Sequence, residues 1–451
     1  ATATVSGRAD LLRHDYRDQL AAFAADPATF GRGFEFHYDP KLPATAAINL
    51  DSPEYANITV HAIAHYGEAL RHGMRPLPRP AIRRLQGWVT RLLAGSWTHA
   101  GYLNWDTGKG RRRWHSAQYW AFAQQGLLAI ATSPAFWRHR VYGRWAKALF
   151  DRGLALYQRR ADANGGPAPK HMFGVHTLME EFDCFCARML ANAARAVALD
   201  LGSRRAEDPP PLYAFDPDTG RLAITTPRYS TAIVPDNRGA FPYGGIDPAR
   251  LFGPGQTVAA NVGGLPPAAF GIVVSSRAGR EWLASQHSTT GRLRISGPRH
   301  RRPPYAGPFR AVTARASVSR GGVRISATHS FRAAAIVSRW QVTCDGRCRY
   351  RVRAHFPTWG AATITAIGRD GTRVPLLPRA RRVPLTDVAA VELGRGYRLV
   401  PLARPRGATL SAVRVARQPT NPRPGASLRV ELVRHGAFHR RSLAVRIVPA
   451  R

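Results

Sequence analysis

From Ala9 to about Leu201 apolar residues recur at three- and four-residue spacing, the period of amphipathic helices. Six segments carry it: ADLLRHDYRDQLAAFAADP, YANITVHAIAHYGEALRHG, PAIRRLQGWVTRLLAGSW, WHSAQYWAFAQQGLLAIATS, FWRHRVYGRWAKALFDRGLALYQRRA and HTLMEEFDCFCARMLANAARAVALDLG. Pro80 opens the third and Gly202 closes the sixth, as helix boundaries prefer. The loops between them, notably 98–112 and 162–175, are rich in Gly, Pro and aromatics. This pattern predicts a helical α/α domain over 1–202 with its functional loops gathered at one end.

The next residues, SRRAEDPPP and LYAFDPDTGRL, carry prolines and turn formers that cannot continue a helix. They read as a linker over 203–220. Beyond it the period changes to two, in LAITTPRYSTAIV, FGIVVSSR, GRLRISG, FRAVTARASVS, GVRISATHS, AAIVSRWQVTC, CRYRVRAHF, ATITAIG, YRLVPLA, LSAVRVAR, LRVELVRH and LAVRIVPA. Asp-Gly at 345–346 and 370–371 and Gly-Gly at 321–322 supply hairpin turns. Residues 221–451 therefore read as an antiparallel β-sandwich, and the whole chain as a multidomain α+β protein. One stretch, RYSTAIVPDNRGAFPYGGIDPARLFGPG, breaks the strand rhythm and is expected to fold back on the helical domain.

Composition changes this picture in one respect. The 451 residues carry 66 basic against 28 acidic side chains, a formal charge of +38. Only Lys41, Lys109, Lys147 and Lys170 are lysines, so the excess is arginine, which forks carboxylate, sulfate and phosphate with paired donors. GC-rich codon usage yields the same composition, so charge alone points only weakly to an anionic partner. No zinc-finger, basic-zipper or RNA-binding aromatic signature accompanies it, which favours polysaccharide over nucleic acid. No apolar run reaches the length of a membrane span. Cys344 and Cys348 enclose Asp-Gly-Arg and suit a disulfide across a tight turn, whereas Cys184 and Cys186 point to different sides of a predicted helix. The first residues, ATATVSGR, have no signal-peptide pattern, so any such segment is expected to have been removed from an exported, secreted or periplasmic protein.

Chemistry concentrates in GYLNWDTGKGRRRWHSAQYWAFAQQG, residues 101–126. Amide, carboxylate, guanidinium, imidazole and phenol occur there beside three tryptophans, a mixture that suits a sugar. This stretch and YSTAIVPDNRGAFPYGGIDPARLF, with the helical half, the proline-rich linker and the large sandwich, resemble the heparinase II/III-like and alginate-type polysaccharide lyases. The resemblance implies an α/α toroid-like domain, shortened or open because only six helices are predicted, followed by the sandwich. It also implies β-elimination next to a uronic acid, at a site between the two domains.

Such a reaction needs the uronate carboxylate neutralised, its α-proton removed and the leaving oxygen protonated. Asn104 and Arg113 are the expected neutralisers. His115 and Tyr119, four apart on one predicted helix face, are the expected base and acid, with Tyr229 or Tyr243 as the competing acid. A hydrogen-bonded structural histidine and a packed tyrosine are the competing readings of the pair. Trp105, Trp114 and Trp120 offer flat faces that stack on sugars or pack in a core. Asn237 and Arg238, freed to turn by Gly239, would contact the substrate carboxylate, or form a plain turn.

Three further readings stay open. His176, Glu180 and Asp183 share a helix face, and with Asp106 they supply the carboxylates of a glycoside hydrolase. His61, His65, Glu68 and His72 form a helical stripe that is a weak candidate for a structural metal; otherwise no cofactor is expected. A non-catalytic protein that binds an anionic glycan is the third.

Overall fold

The computed structural model describes residues 8, 10, 16–25, 66–95, 97–101, 104, 117–133, 140–163, 181–216, 220–233, 245–254, 258–261, 267, 270–276, 281–286, 293–298, 305–358, 362–378, 382–415, 425–434 and 436–450. They fall into two compact units, one of residues 1–218 with 300–308, the other of 219–299 with 309–451.

Six helices are described in the first unit: α1 (Arg17–Ala25), α2 (Tyr66–Arg71), α3 (Arg79–Gly95), α4 (Ala117–Thr132), α5 (Arg140–Ala163) and α6 (Glu181–Ala198). Each falls on a segment that the hydrophobic period predicts, α3 starting one residue earlier and α5 ending two residues later than expected. In α3, Ala81, Leu85, Val89 and Leu93 recur every four residues and are all buried, while Arg83 and Arg84 stay exposed. The second half of α4 is buried on every side, from Ala123 to Ala131, as expected for a helix that is apolar all round. It packs against both α5 and α6. The last helix stops four residues before Gly202: Asp200 takes a left-handed φ of 50°, and Leu201 donates back to the Ala196 carbonyl at 2.9 Å, a Schellman closure with Asp in the glycine position.

The segment expected as a linker is docked instead. Arg204 donates to the Ala131 carbonyl at the end of α4 (2.9 Å), Glu207 pairs with Arg144 of α5 (3.2 Å), and Asp208 pairs with Arg152. The chain then forms β1 (Leu212–Asp216), which pairs antiparallel with β9 (Ala306–Pro308). Both strands pack on α3. Helix α3 thus packs on this strand pair as well as on α1 and α5, and the described helices by themselves give little support to a toroid-like layer. The linker reading missed β1 because one face of α3 supplies the burial that five residues between prolines cannot.

The second unit is antiparallel throughout its named sheets. Strands β2 (Arg221–Thr225), β3 (Ser230–Ile233), β4 (Pro248–Phe252) and β5 (Val258–Asn261) form a meander. A nine-stranded sheet runs β15-β14-β17-β18-β21-β12-β11-β10-β8 and a six-stranded one β16-β19-β20-β13-β6-β7. In the first, β8 is Arg294–Ser296, β10 Ala311–Arg320, β11 Val323–Arg332, β12 Ile336–Cys348, β14 Ile364–Gly368, β15 Arg373–Leu376, β17 Val388–Leu393, β18 Tyr397–Pro401 and β21 Phe438–Pro449. In the second, β6 is Gly271–Ser275, β7 Glu281–Ala284, β13 Arg351–Pro357, β16 Val383–Pro384, β19 Thr409–Val415 and β20 Gly425–Val433. Trp340 of the first sheet meets Phe356 of the second at 5.9 Å between centroids, and Phe270 meets Phe356 edge-on at 5.2 Å. The sheets thus share an aromatic core.

Two of the three expected turns are present. Gly321 and Gly322, at φ 51° and 76°, link β10 to β11 with Arg320 opposite Val323, and Gly371 at φ 86° lies between β14 and β15. Asp345-Gly346 makes no hairpin. It lies in the irregular end of β12, where the pairing with β21 shifts between Thr343 and Cys348 and where Cys344 and Cys348 are joined as a disulfide; the chain then crosses to the other sheet.

A carboxylate sits inside this core. Asp247 accepts hydrogen bonds from Trp340 Nε1 at 2.6 Å and from the Ser285 hydroxyl, and its Oδ1 lies 3.0 Å from His329 Nε2. Ser285 Oγ also accepts from the Ile272 amide (2.8 Å), and His329 Nδ1 meets Ser338 Oγ at 2.9 Å. Asp247 and Ser285 bracket Gly271, where a Cβ would strike both side chains. Asp247 belongs to the stretch expected to fold back on the helical domain; its described residues, 228–233 and 245–254, carry β3 and β4 of the second unit. Removing this acceptor leaves buried donors unpaired, so Asp247→Ala is expected to cost about 3 kcal/mol or more in urea unfolding of the intact chain. Asp247→Asn, which keeps one acceptor oxygen, is expected to cost clearly less, with near-UV circular dichroism reporting Trp340.

Candidate functional site

Of the chemically rich stretch 101–126, the described residues are Gly101, Asn104 and everything from Ala117 onward. Both of its ends are held by the helical unit. Trp97 is fully buried, and the chain beyond it turns through Gly101, at φ 71°. A Cβ on Gly101 would collide with the Leu149 carbonyl of α5, and one on Gly153 would collide with the Gln124 side chain and lie 2.8 Å from the Gly101 carbonyl. Gln124 of α4, itself buried, donates to that carbonyl at 3.2 Å. Loop, α4 and α5 therefore approach at glycine distance, and Asn104, three residues on, is carried into the interior at 0% exposure.

Beside this contact lies a group that the sequence reading did not single out. Arg152 of α5 donates to the His99 carbonyl at 3.1 Å, lies against the His99 ring at 3.2 and 3.1 Å from its two nitrogens, and pairs with Asp208. Burial, with the Arg152 guanidinium adding to it, brings the His99 pKa down to about 4. His99 is thus a neutral imidazole at neutral pH, five residues before Asn104. The only sequence signal was its place in the Gly- and aromatic-rich loop 98–112.

The other expected site residues divide clearly. Trp105, Asp106, Arg113, Trp114, His115, His176, Glu180, Asn237, Arg238 and Tyr243 lie outside the described residues, as do His61 and His65. Tyr119 and Trp120 fall in the first turn of α4, Glu68 in α2 and Asp183 in the first turn of α6, each placed by its backbone. His72 is exposed just past α2. Among the described residues no three His, Cys, Asp or Glu side chains gather as a metal would require.

Tyr229 has a packing role that removes it as the competing acid. It is 1% exposed, its hydroxyl donates to the Arg332 carbonyl at 2.7 Å, and burial raises its pKa far above the phenol range. A proton held this way, away from solvent, does not reach a glycosidic oxygen. The contacts Ser338–His329–Asp247 follow the order of a nucleophilic triad, but with these side chains at 0%, 0% and 1% exposure no substrate approaches them; they are core.

No family model matches the sequence, and no curated protein matches it. Solved structures do resemble its fold. The chondroitin AC lyase of Streptomyces coelicolor A3, as a point variant, aligns over 96% of this chain and 56% of its own length, with a TM-score of 0.50 and 12% identity. The same lyase in complex with chondroitin sulphate aligns at 0.47 and 13% identity, over 96% of this chain and 57% of that one. A heparan sulfate lyase HepC mutant from Pedobacter heparinus aligns at 0.37 and 9%, over 96% and 62%. The chain thus spans little more than half the length of the lyases it resembles. At such identity the first of these likenesses establishes the fold alone: helices followed by long antiparallel sheets, as in a polysaccharide lyase. Among the described residues no helix is long and apolar enough to cross a membrane.

Two outcomes test this local structure. Gly153→Ala is expected to lower stability by about 1–3 kcal/mol through overpacking, seen as a lower thermal midpoint with loss of helical signal. His99 has a folded pKa near 4, below its unfolded value of 6.5, so only the unfolded chain takes up this proton as pH falls between the two. Stability is therefore lost on acidification from pH 6.5 to 4, and in urea titrations at pH 7 and 4.5 the His99→Gln variant is expected to lose less than wild type.

Proposed function

We propose that this chain is an extracytoplasmic polysaccharide lyase that cleaves a uronate-containing glycan by β-elimination. The observation that carries the reading is the fold likeness to a chondroitin AC lyase over 96% of this chain, joined to the concentration of amide, guanidinium, imidazole and phenol in residues 101–126. A shared fold does not by itself dictate a reaction; the residue types supply the chemistry.

In this reading Arg113 binds the uronate carboxylate and stabilises the enolate charge that develops as the α-proton leaves, while Asn104, expected as its partner but at 0% exposure, positions the loop from the interior. His115 removes that proton, and Tyr119, or Tyr243 in its place, protonates the departing oxygen. Trp105 and Trp120 stack on sugar rings, while Asp106, His176, Glu180, Asn237 and Arg238 contact the saccharide. The anchoring of Gly101 by Gln124 and its packing on α5 support a positioning role for Asn104, because they hold the start of the loop that carries it. The arginine surplus suits an acidic polymer.

The test is ultraviolet absorbance of unsaturated uronate together with a reducing-end assay on a panel of acidic and neutral polysaccharides. Both signals are expected to rise on a uronate polymer. The rate should drop by about 10²-fold or more in His115→Ala and in Tyr119→Phe, the range typical for a lost general base or acid. New reducing ends without absorbance would mean hydrolysis and move the chemistry to Asp106, Glu180 and Asp183.

A further inference from the structure

The six-stranded sheet of the second unit carries a cleft of about 550 Å³ lined by Pro378, Arg382, Ser411, Val413, Arg414 and Arg429. Strand register explains how the arginines meet. Across β13, β20 and β19, Arg353 stands opposite Glu431 and Glu431 opposite Thr409; two residues along, His355 stands opposite Arg429 and Arg429 opposite Ser411. These cross-strand partners share one face of the sheet. Arg382, just ahead of β16, reaches Glu431 Oε2, while Arg353 Nε lies 3.7 Å from Oε1. Arg429 Nε donates to the Ser411 hydroxyl at 3.1 Å.

Charge does not balance here. Among the described residues Glu431 is the one acidic group acting on both Arg353 and Arg429, and its side chain, 4% exposed, already bridges Arg353 and Arg382. The charges of Arg351 and Arg382 act on Arg353, and those of Arg353, Arg382 and Arg434 on Arg429. Burial first, with the neighbouring guanidiniums adding to it, lowers the pKa of Arg353 and Arg429 from the usual arginine value. His355 neither adds to that charge nor relieves it, since burial with Arg429 and Arg353 nearby takes its pKa to about 3. An anion entering the cleft would meet guanidinium forks and a hydroxyl in a partly desolvated place, where charge-assisted hydrogen bonds are strongest.

We propose that this cleft is an oxyanion-binding site that takes a sulfate or carboxylate group of an acidic saccharide, held by Arg382, Arg414 and Arg429 with the Ser411 hydroxyl. It lies in the second unit, on residues other than those proposed for elimination, and stands whether or not the chain cleaves a glycan. The same chemistry suits a free inorganic anion, so the test separates the two sources.

Isothermal titration of the full chain, in a His115→Ala background so that the probe is not consumed, compares a sulfated uronate-containing tetrasaccharide with inorganic sulfate at constant ionic strength. The tetrasaccharide is expected to bind, and inorganic sulfate to displace it only at far higher concentration. Arg414→Gln with Arg429→Gln should weaken binding about 10-fold or more, and Arg429→Lys, which keeps the charge and loses the fork, should fall between. A control that removes two exposed charges elsewhere, Arg398→Gln with Arg440→Gln, should bind as wild type, and circular dichroism with thermal melting verifies that each variant is folded. Equal weakening in the control pair would reduce the effect to net charge and overturn the site. Inorganic sulfate binding as tightly as the tetrasaccharide would overturn the saccharide as occupant. Elimination is read separately by absorbance in the His115-intact chain, so its failure leaves this result untouched.

Discussion

A carboxylate removed from water must be met by donors, and in the sandwich that requirement falls on Asp247. From the entry to β4, its oxygens meet an indole, a hydroxyl and an imidazole drawn from three other places in the sequence: β12, the residue after β7, and β11. Because these partners span both large sheets, the network ties their register together at one point, beside the aromatic contacts of Trp340, Phe270 and Phe356. Apolar packing alone tolerates sliding; a fully paired buried polar group does not. Gly271 belongs to the same constraint, since the space a side chain would need is taken by the Asp247 carboxylate and Ser285.

The helical unit meets a different constraint, that of close approach. Gly101 and Gly153 let the loop and α5 touch backbone to backbone, and Gln124 of α4 closes the contact with a side-chain hydrogen bond. Arg152 extends it, joining His99 to Asp208 and so tying the loop to the segment that leads into β1. The chemically rich stretch thus begins from a rigid base, as a site that must orient a substrate requires.

Arginine serves three ends in this chain. Arg144, Arg152 and Arg204 dock the 203–208 segment onto α4 and α5. Arg339, Arg398 and Arg440 stand exposed on sheet faces, where single charges contribute little to stability. Arg353, Arg382 and Arg429 converge on one buried glutamate. Net charge counts all of them alike; the third group stands apart among the described residues in that several guanidiniums share one buried carboxylate.

The sequence by itself determined what depends on local periodicity and turn chemistry. The six helical segments, the change to period two, the glycine turns at 321–322 and 370–371 and the Cys344–Cys348 bridge were all legible, because each is written within a few residues. Of the candidate site, the sequence supplied residue types, the mixture from Asn104 to Trp120, whose positions 105–116 lie outside the described residues. Tertiary structure decided what depends on partners far apart in the chain. Leu212–Asp216 is a strand packed on α3, Asp345-Gly346 is no hairpin because it lies in the irregular end of β12 between its paired residues Thr343 and Cys348, and Tyr229 is core, its hydroxyl donating to the Arg332 carbonyl. His99 owes its neutral imidazole to Arg152 and burial, and Asp247 its place in the core to donors 38 to 93 residues away. No spacing along the chain encodes those meetings, since burial and long-range hydrogen bonding exist only once the elements have packed.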